Sequence, residues 1–165
     1  MIHGVINIYK EKGFTSHDVV AKLRGILKQK KIGHTGTLDP DAEGVLPVCL
    51  GKATKLCDML TDKDKTYETV LLLGQVTDTQ DISGQILEEH STGHLTEEMV
   101  REAILSFVGE YDQIPPMYSA LKVNGKKLYE LAREGKEVER KPRKVTIYQI
   151  IIKEMNLPRV RMEVK

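Results

Sequence analysis

The stretch from Gly33 to Leu46 constrains this chain most strongly, because no regular element can run through all of it. It reads GHTGTLDPDAEGVL, with three glycines and one proline among mostly polar residues. Residues 32–45 show neither helical nor strand periodicity, and glycine, proline and short polar residues favour turns. The sequence therefore predicts a loop there. Loops held by a rigid scaffold often carry functional groups, and this one presents a histidine, two threonines and three acids.

Helix and strand patterns alternate along the rest of the chain without a strict βαβ rhythm. Strands are predicted at residues 4–9, 65–73, 84–87, 145–153 and 159–165, with a polar loop at 75–83. Helices are predicted at 16–30, 52–60 and 127–134, and a fourth begins after Thr96 and ends before Gly109. Pro115-Pro116 favours an extended segment and Asn124-Gly125 a tight turn. This mixture predicts an α+β fold with a mixed, mostly antiparallel central sheet flanked by helices.

Two of these helices carry clear apolar stripes. The first has Thr15 or Ser16 as its N-cap, and the second has Thr96. The residues expected to be buried are Val19, Val20, Leu23, Ile26 and Leu27 in the first helix, and Met99, Val100, Ala103, Ile104 and Phe107 in the second.

Length and composition indicate one soluble domain. The chain has 165 residues, and no apolar run approaches the roughly 20 residues of a membrane span. The N-terminus lacks the pattern of a secretory signal, so a cytoplasmic location is expected. Cys49 and Cys57 cannot make a disulfide framework and show no metal-type spacing, so both are predicted to be small buried apolar residues.

The net charge of +1 hides an uneven distribution along the chain. Residues 1–57 hold nine Lys/Arg against five Asp/Glu, residues 58–102 hold three against eleven, and residues 122–144 hold nine against four. Such blocks can form a polyanion-binding face opposite an acidic one. Solvated surface helices and loops explain them as well, and charge alone favours that reading.

Asp39 is the residue in the glycine-rich stretch whose role matters most. On the residues alone, an aspartate before Pro40 is more often a turn residue or a helix cap than a catalytic group. However, the run His34-Thr35-Gly36-Thr37-Leu38-Asp39-Pro40, followed by Gly44-Val45-Leu46-Pro47 and Gly51-Lys52-Ala53-Thr54-Lys55, resembles the active-site motif of TruB-type pseudouridine synthases.

Further stretches resemble the same family, so that the likeness covers essentially the whole chain. They are Gly4, Lys10, Gly13, Thr15 and Ser16; Lys65-Thr66-Tyr67; Gly74, Thr77-Asp78-Thr79, Asp81 and Gly84; and Pro115-Pro116-Met117-Tyr118-Ser119-Ala120-Leu121-Lys122 with Gly125-Lys126-Lys127-Leu128-Tyr129 and Ala132-Arg133. The sequence departs from the family at Lys10-Glu11-Lys12-Gly13, where a proline usually follows the lysine.

The resemblance implies a pseudouridine synthase fold and the activity of a tRNA-modifying isomerase. Asp39 would be its catalytic carboxylate, attacking the ribose C1′ or the uracil C6, or assisting proton removal at the sugar. Tyr67, His34, Thr37 and Lys10 would bind the substrate. Tyr67 would stack on the flipped uracil and His34 would occupy the space that the base leaves. The alternatives are a tyrosine packed in a core and a histidine hydrogen-bonded within its own loop.

The implied partner is the T-arm stem-loop of tRNA, with no obligatory protein partner and no membrane. Because the reaction neither oxidises its substrate nor cleaves a phosphate, it requires no cofactor and no metal. The candidates for RNA phosphate contacts are the basic residues Lys22, Lys30, Lys31, Lys122, Lys126, Lys127, Arg133 and Arg143, with Lys10, Arg140 and Lys144 considered beside them.

The family's catalytic domain normally continues through a Gly-Thr-Tyr-Ile-Arg segment, whose arginine pairs with the aspartate, and a small RNA-binding PUA domain usually follows. Neither occurs in these 165 residues. Residues 1–165 are therefore expected to be the N-terminal portion of the catalytic domain, with an incomplete fold. The main alternative is a non-catalytic RNA-binding module. A phosphate-binding enzyme is disfavoured, because the glycine-rich stretch lacks the Gly-Lys-Ser/Thr ending of a P-loop.

Overall fold

The computed structural model describes residues 1–119, 121–123 and 125–165, which form two compact units, Met1–Asp64 and Lys65–Lys165. The turn predicted at Asn124-Gly125 falls partly on Asn124, which lies outside the described residues, as do Ala120 and the side chain of Lys122. The described strands pair antiparallel throughout, in five sheets of two or three strands. The α+β class with antiparallel pairing is confirmed.

The N-terminal unit packs one helix on a three-stranded sheet. Its elements are β1 (Gly4–Lys10), α1 (Ser16–Leu27), β2 (Ile32–His34), β3 (Gly44–Leu50), a 3-10 helix (Gly51–Leu56) and α2 (Cys57–Thr61). Strand β3 lies between the other two strands. Val19 and Val20 of α1 pack against Ile32, Leu46, Val48 and Leu50 of the sheet, and together they form the core of this unit.

Helix α1 begins as the sequence predicts and ends three residues early. The Thr15 hydroxyl accepts a hydrogen bond from the Asp18 amide, and the Asp18 carboxylate accepts one from the Thr15 amide, which makes a capping box. At the other end, Lys28 adopts a left-handed conformation with φ of 50°. Gln29 then turns inward and hydrogen-bonds the backbone of Ile2. Ile26, in the last turn, is exposed, so its predicted burial is wrong.

The loop predicted over residues 32–45 is shorter in the structure. Ile32–His34 and Gly44–Leu50 are strands, so only residues 35–43 connect them. Pro47 makes β3 hard to predict from the sequence, because proline rarely lies in a central strand. Its carbonyl oxygen accepts from the Thr35 amide at 3.1 Å. Proline has no amide N–H, so Pro47 cannot donate the hydrogen bond that would point to this same side of β3. That bond falls where β2 has already ended.

The described residues of the C-terminal unit form four small sheets and two helices. Its elements are β4 (Tyr67–Leu72), β5 (Gln75–Thr77), β6 (Ile86–Glu89), α3 (Glu97–Leu105), β7 (Gly109–Gln113), β8 (Lys122–Val123), β9 (Lys126–Lys127), α4 (Leu128–Arg133), β10 (Arg143–Ile147), β11 (Ile150–Asn156) and β12 (Arg159–Val164). The largest sheet has the order β11-β12-β4, and β10 pairs with β7, β5 with β6 and β8 with β9.

Three strand predictions in this unit need correction. The strand predicted at 145–153 is two strands, because the Tyr148 amide leaves the ladder and donates to the Lys165 carbonyl. The loop predicted at 75–83 begins with β5, which pairs with β6 at residues 86–89 instead of 84–87. Strand β7 was missed, because its sequence GEYDQ is polar and its order depends on pairing with β10.

Helix α3 buries only part of its predicted stripe. Val100 and Ile104 are buried against Val160 of β12, whereas Met99 and Phe107 remain about half exposed. Phe107 lies beyond the end of the helix at Leu105, so the helical period no longer sets its direction. Both exposed side chains border an open apolar cavity of about 520 Å³ beside the helix. Within the ranges given above, no helix is long and apolar enough to cross a membrane.

Burial along β3 generates a test of the N-terminal core. Replacing Leu46, which is 2% exposed, by alanine should lower the free energy of unfolding of this unit by about 2–5 kcal/mol, because it leaves a cavity. The matched control is Val45→Ala at the next position, which is 65% exposed and should change stability by less than about 0.5 kcal/mol. Urea denaturation followed by circular dichroism measures both. Equal effects at the two positions would contradict the inward direction of Leu46.

Candidate functional site

The loop of residues 35–43 is tied to the rest of its unit on both sides of Asp39. Before Asp39, the Leu38 amide donates to the Ser16 hydroxyl oxygen at 3.0 Å. After Asp39, the Pro40 carbonyl accepts from the Gly13 amide at 2.7 Å. Gly13 has φ of +88°, a left-handed conformation that favours glycine, so its residue type fits this contact. These contacts fix the backbone of the residue between them.

Lys10 provides a third tie and lies inside the unit. Its side chain is fully buried, and Nζ donates to the carbonyls of Phe14 at 2.6 Å, Glu11 at 3.1 Å and Pro40 at 3.4 Å. A buried ammonium must be hydrogen-bonded, and these three carbonyls supply acceptors. Lys10 thus joins two loop segments through its hydrogen bonds. The sequence had suggested substrate binding instead.

The start of the loop is fixed by Thr35. This residue is buried, and both its amide and its hydroxyl donate to the Pro47 carbonyl at 3.1 Å. A last backbone hydrogen bond runs from the Ala42 amide to the Asp39 carbonyl at 3.0 Å and closes a turn after the aspartate. Asp39 therefore is a turn residue, as its position before Pro40 suggested. The turn is closed by its backbone carbonyl and not by its side-chain carboxylate.

The Asp39 carboxylate itself is exposed, as are the neighbouring side chains of Thr37 and Asp41. A carboxylate on an immobilised backbone with an exposed side chain can reach a bound molecule without first breaking a contact. This combination of a fixed main chain and an accessible acid makes the loop the candidate catalytic site.

His34 is half-buried at the end of β2. Its Nδ1 lies 2.6 Å from the Gly36 carbonyl, and its ring meets His17 edge-on with centroids 5.1 Å apart. Burial lowers the pKa of His34 from its ordinary value of 6.5, and the nearby charge of His17 lowers it further, against the opposing effect of the Gly36 carbonyl. The ring is therefore neutral at pH 7. The loop hydrogen bond expected as the alternative role of His34 is present.

Tyr67 begins β4 in the C-terminal unit, where its side chain is 50% exposed. That exposure does not fit the alternative of a tyrosine packed in a core. About half of the side chain is therefore accessible to a bound molecule.

The basic candidates fall on both units. In the N-terminal unit Lys22, Lys30 and Lys31 are exposed, and Lys22 Nζ lies 4.9 Å from the centre of the Phe14 ring. In the C-terminal unit, Arg143 is exposed on β10 and Lys126 pairs with Glu134 at 3.3 Å. Lys127 and Arg133 both approach the Tyr129 ring at 5.3 Å. Among the considered residues, Arg140 pairs with Glu137 and Lys144 with Glu110.

Sequence reasoning missed the main role of Ser16. The pair Thr15-Ser16 offered two candidates for one helix cap, and the structure gives the cap to Thr15. Ser16 is 1% exposed and holds Leu38 instead. Two adjacent residues that could each cap the helix were the available signal that one of them has another role. In the described part of the chain, no three His, Cys, Asp or Glu side chains are grouped so that they could hold a metal ion.

Comparison with known proteins gives consistent results. Residues 24–165 match the TruB family pseudouridylate synthase (N terminal domain). A tRNA pseudouridine synthase B of Lachnoclostridium phytofermentans is 70% identical over 151 residues, or 92% of this chain and 49% of that protein. Its counterpart in Clostridium perfringens strain SM101 is 59% identical over 149 residues, or 90% and 51%. The chain spans about half the length of the curated relatives it matches.

The likeness extends to three dimensions. A chain in the crystal structure of a Cbf5-Nop10-Gar1 complex superposes with a TM-score of 0.67 and 32% sequence identity. The match covers 98% of this chain and 39% of that one. The fold described above is therefore shared with that protein.

The Ser16 contact predicts a change that is largest in the loop. In Ser16→Ala the Leu38 amide loses its acceptor, so its hydrogen exchange should become faster, by about tenfold or more, and stability should fall by about 1–3 kcal/mol. Exchange followed by mass spectrometry on peptides spanning residues 35–41 measures this. The control is Thr54→Ala, which removes a hydroxyl that bonds the Gly51 carbonyl and should leave Leu38 exchange unchanged. Equal exchange in both variants would refute the anchoring role.

The environment of His34 predicts a low titration midpoint. A folded-state pKa below 6.5 means that folding favours the neutral ring. Its contribution to stability is thus complete above pH 6.5 and is lost as the pH falls through the folded-state value. NMR titration of the His34 ring should give a midpoint below 6.5, and His17→Gln should raise it by removing a neighbouring charge. A midpoint at or above 6.5 would contradict the burial argument.

Proposed function

The chain belongs to the TruB family of pseudouridylate synthases, and on that premise we propose that it serves RNA pseudouridylation with Asp39 as the catalytic carboxylate. The observation that supports this most directly is the position of Asp39. Its backbone is held between the Leu38 contact with Ser16 and the Pro40 contact with Gly13, while its side chain is exposed. Holding a reacting group in a fixed geometry lowers the entropic part of the barrier.

The chemistry suits a carboxylate. Pseudouridine formation breaks the bond between ribose C1′ and uracil N1, turns the base and joins it to C1′ through C5. A carboxylate can add to an electrophilic carbon and leave again, so it can serve as the temporary partner in this exchange. Attack at C1′, attack at C6 and proton removal at the sugar are all compatible with an exposed Asp39.

A uridine within a folded RNA must leave its stack to meet this carboxylate. In the proposal, His34 occupies the space that the base vacates, and Thr37 contacts the substrate beside Asp39. Tyr67 stacks on the uracil, because unstacked RNA bases are commonly received by aromatic rings. The neutral ring of His34 and the half-exposed ring of Tyr67 support these roles.

Lys10 has a different role in this proposal from the one that the sequence suggested. Because its ammonium is buried among carbonyls, we assign it to positioning the Asp39 loop. The phosphate contacts fall to the exposed cations Lys22, Lys30, Lys31 and Arg143, together with Lys126, Lys127 and Arg133, and with Lys122, whose side chain lies outside the described residues.

The proposed substrate is tRNA, modified at the uridine of the T-arm loop and therefore in the cytoplasm. The names of the curated relatives, tRNA pseudouridine synthase B, support tRNA over other RNAs. The proteins Nop10 and Gar1 belong to the complex of the structural neighbour, and the present proposal needs no protein partner. We further propose that residues 1–165 form the N-terminal portion of the catalytic domain, consistent with the family domain matched at residues 24–165.

The proposal predicts that Asp39→Asn abolishes tritium release from an unmodified tRNA transcript labelled at uridine C5. The assay uses the 165-residue chain and the same chain joined to the C-terminal half of the Lachnoclostridium phytofermentans relative. In whichever form is active, Asp39→Asn should reduce the rate by about 10⁴-fold or more. The matched control is Asp41→Asn, an exposed acid in the same loop, which should retain the rate within a few-fold.

Two results would overturn the proposal. If the joined protein binds tRNA tightly but releases no tritium, the chain is an RNA-binding module and Asp39 is a turn residue. If Asp39→Asn and Asp41→Asn have equal rates, the activity is real but Asp39 is not its catalytic group.

A further inference from the structure

The two cysteines of the chain meet beneath the strand that leads into the Asp39 loop. In the β2–β3 pair, Gly33 lies directly opposite Cys49. Side chains at directly opposite positions share one face of the sheet, with Cβ atoms about 4.5–5.5 Å apart. A Cβ placed on Gly33 would lie only 3.1 Å from Cys57 Sγ. The Cys57 sulfur therefore occupies the space that the missing side chain of Gly33 leaves, on the face where Cys49 also points.

This arrangement depends on the glycine. A side chain at position 33 would crowd the Cys57 sulfur, which would have to shift by a few tenths of an ångström. Cys49 and Cys57 are therefore neighbours on this face, and Cys57 adds to burial, the larger cause, in raising the pKa of the Cys49 thiol.

We propose that Cys49 and Cys57 form a reversible disulfide when the chain meets a hydroperoxide, which makes the pair an oxidation site next to the candidate active-site loop. The inference rests on the geometry of the thiols and is independent of the proposed function. It goes beyond the expectation that both cysteines are small buried apolar residues, which Cys49 meets and the partly exposed Cys57 does not.

The two cysteines differ in access, which sets the order of the steps. Cys57 is partly exposed, at the first turn of α2, whereas Cys49 is fully buried. Cys57 therefore reacts first. Its thiolate sulfur attacks one peroxide oxygen, the O–O bond breaks, and a sulfenic acid forms with release of one water after proton transfer.

Cys49 then resolves the sulfenic acid. Its sulfur attacks the Cys57 sulfur, the S–O bond breaks, and the leaving hydroxide takes the Cys49 proton to form a second water. Two thiols and one hydrogen peroxide thus give one disulfide and two waters. Burial, and after it the neighbouring Cys57 side chain, raise the pKa of Cys49 to about 11, so this thiol is protected from direct oxidation by the peroxide.

Bridge formation affects the base of the loop. A disulfide bond holds its two sulfur atoms about 2.0 Å apart, which fixes the Cys57 side chain to Cys49 beneath Gly33. Gly33 immediately precedes His34, and β2 ends there. The bridge therefore changes the packing under the residue from which the Asp39 loop departs.

Peptide mapping tests the proposal on the 165-residue chain. The protein is treated with hydrogen peroxide, capped with iodoacetamide, unfolded and digested with trypsin without reduction. Cleavage after Lys31, Lys52, Lys55 and Lys63 separates the cysteines onto the peptides 32–52 and 56–63. The expected result is a linked pair of these peptides, a loss of about 2 Da from the monomeric protein, and reversal of both by dithiothreitol.

Two variants test the separate roles of the two cysteines. Cys49→Ala should trap Cys57 as a sulfenic acid, detectable with dimedone, and Cys57→Ser should leave Cys49 unoxidised under the same treatment. The proposal is overturned if the natural chain instead yields Cys57 sulfinic acid, or only dimers linked between chains, with no peptide that joins 32–52 to 56–63 within a monomer.

Discussion

The double pairing of β3 is the constraint on which the candidate site depends. Because β3 is bonded to β1 on one side and to β2 on the other, the end of β2 and the start of β3 are fixed. The loop of residues 35–43 must leave one fixed point and return to another. A loop of this length would still sample many conformations if only its ends were held. The contacts made by Ser16, Gly13 and Lys10 in its middle remove that freedom where Asp39 lies.

Lys10 connects the sheet to this loop. It is the last residue of β1 and lies opposite Gly44, the first residue of β3. Burying its ammonium has a large desolvation cost, which the three carbonyl acceptors offset only while all of them stay in place. Displacement of the Pro40 carbonyl would leave the charge less satisfied. The buried cation thus resists movement of the residue that follows Asp39, and this explains why a lysine occupies a position that an apolar side chain could fill more easily.

The sequence predicted the capped helices and the loop. It did not predict the strand whose structure depends on pairing with a distant segment. Thr15 and Thr96 cap their helices through contacts three residues away, so local pattern sufficed. Strand β7 is polar and is defined by β10, thirty or more residues away, so no local signal marks it. The site shows the same division. Asp39 and His34 are proposed from their motif, whereas the contacts of Ser16 and Lys10 depend on segments that the fold brings together.

The tautomer of His34 limits the RNA contacts that the proposed function can assign to this residue. A carbonyl only accepts, so the short contact with Gly36 requires a proton on Nδ1. In the neutral ring that burial favours, Nε2 is then a bare acceptor. It can receive an N–H from a base edge but cannot donate to a phosphate. A phosphate contact would need the imidazolium, whose charge burial and His17 both disfavour. At neutral pH the geometry therefore favours a base over a phosphate as a partner of His34, which supports the role proposed for it.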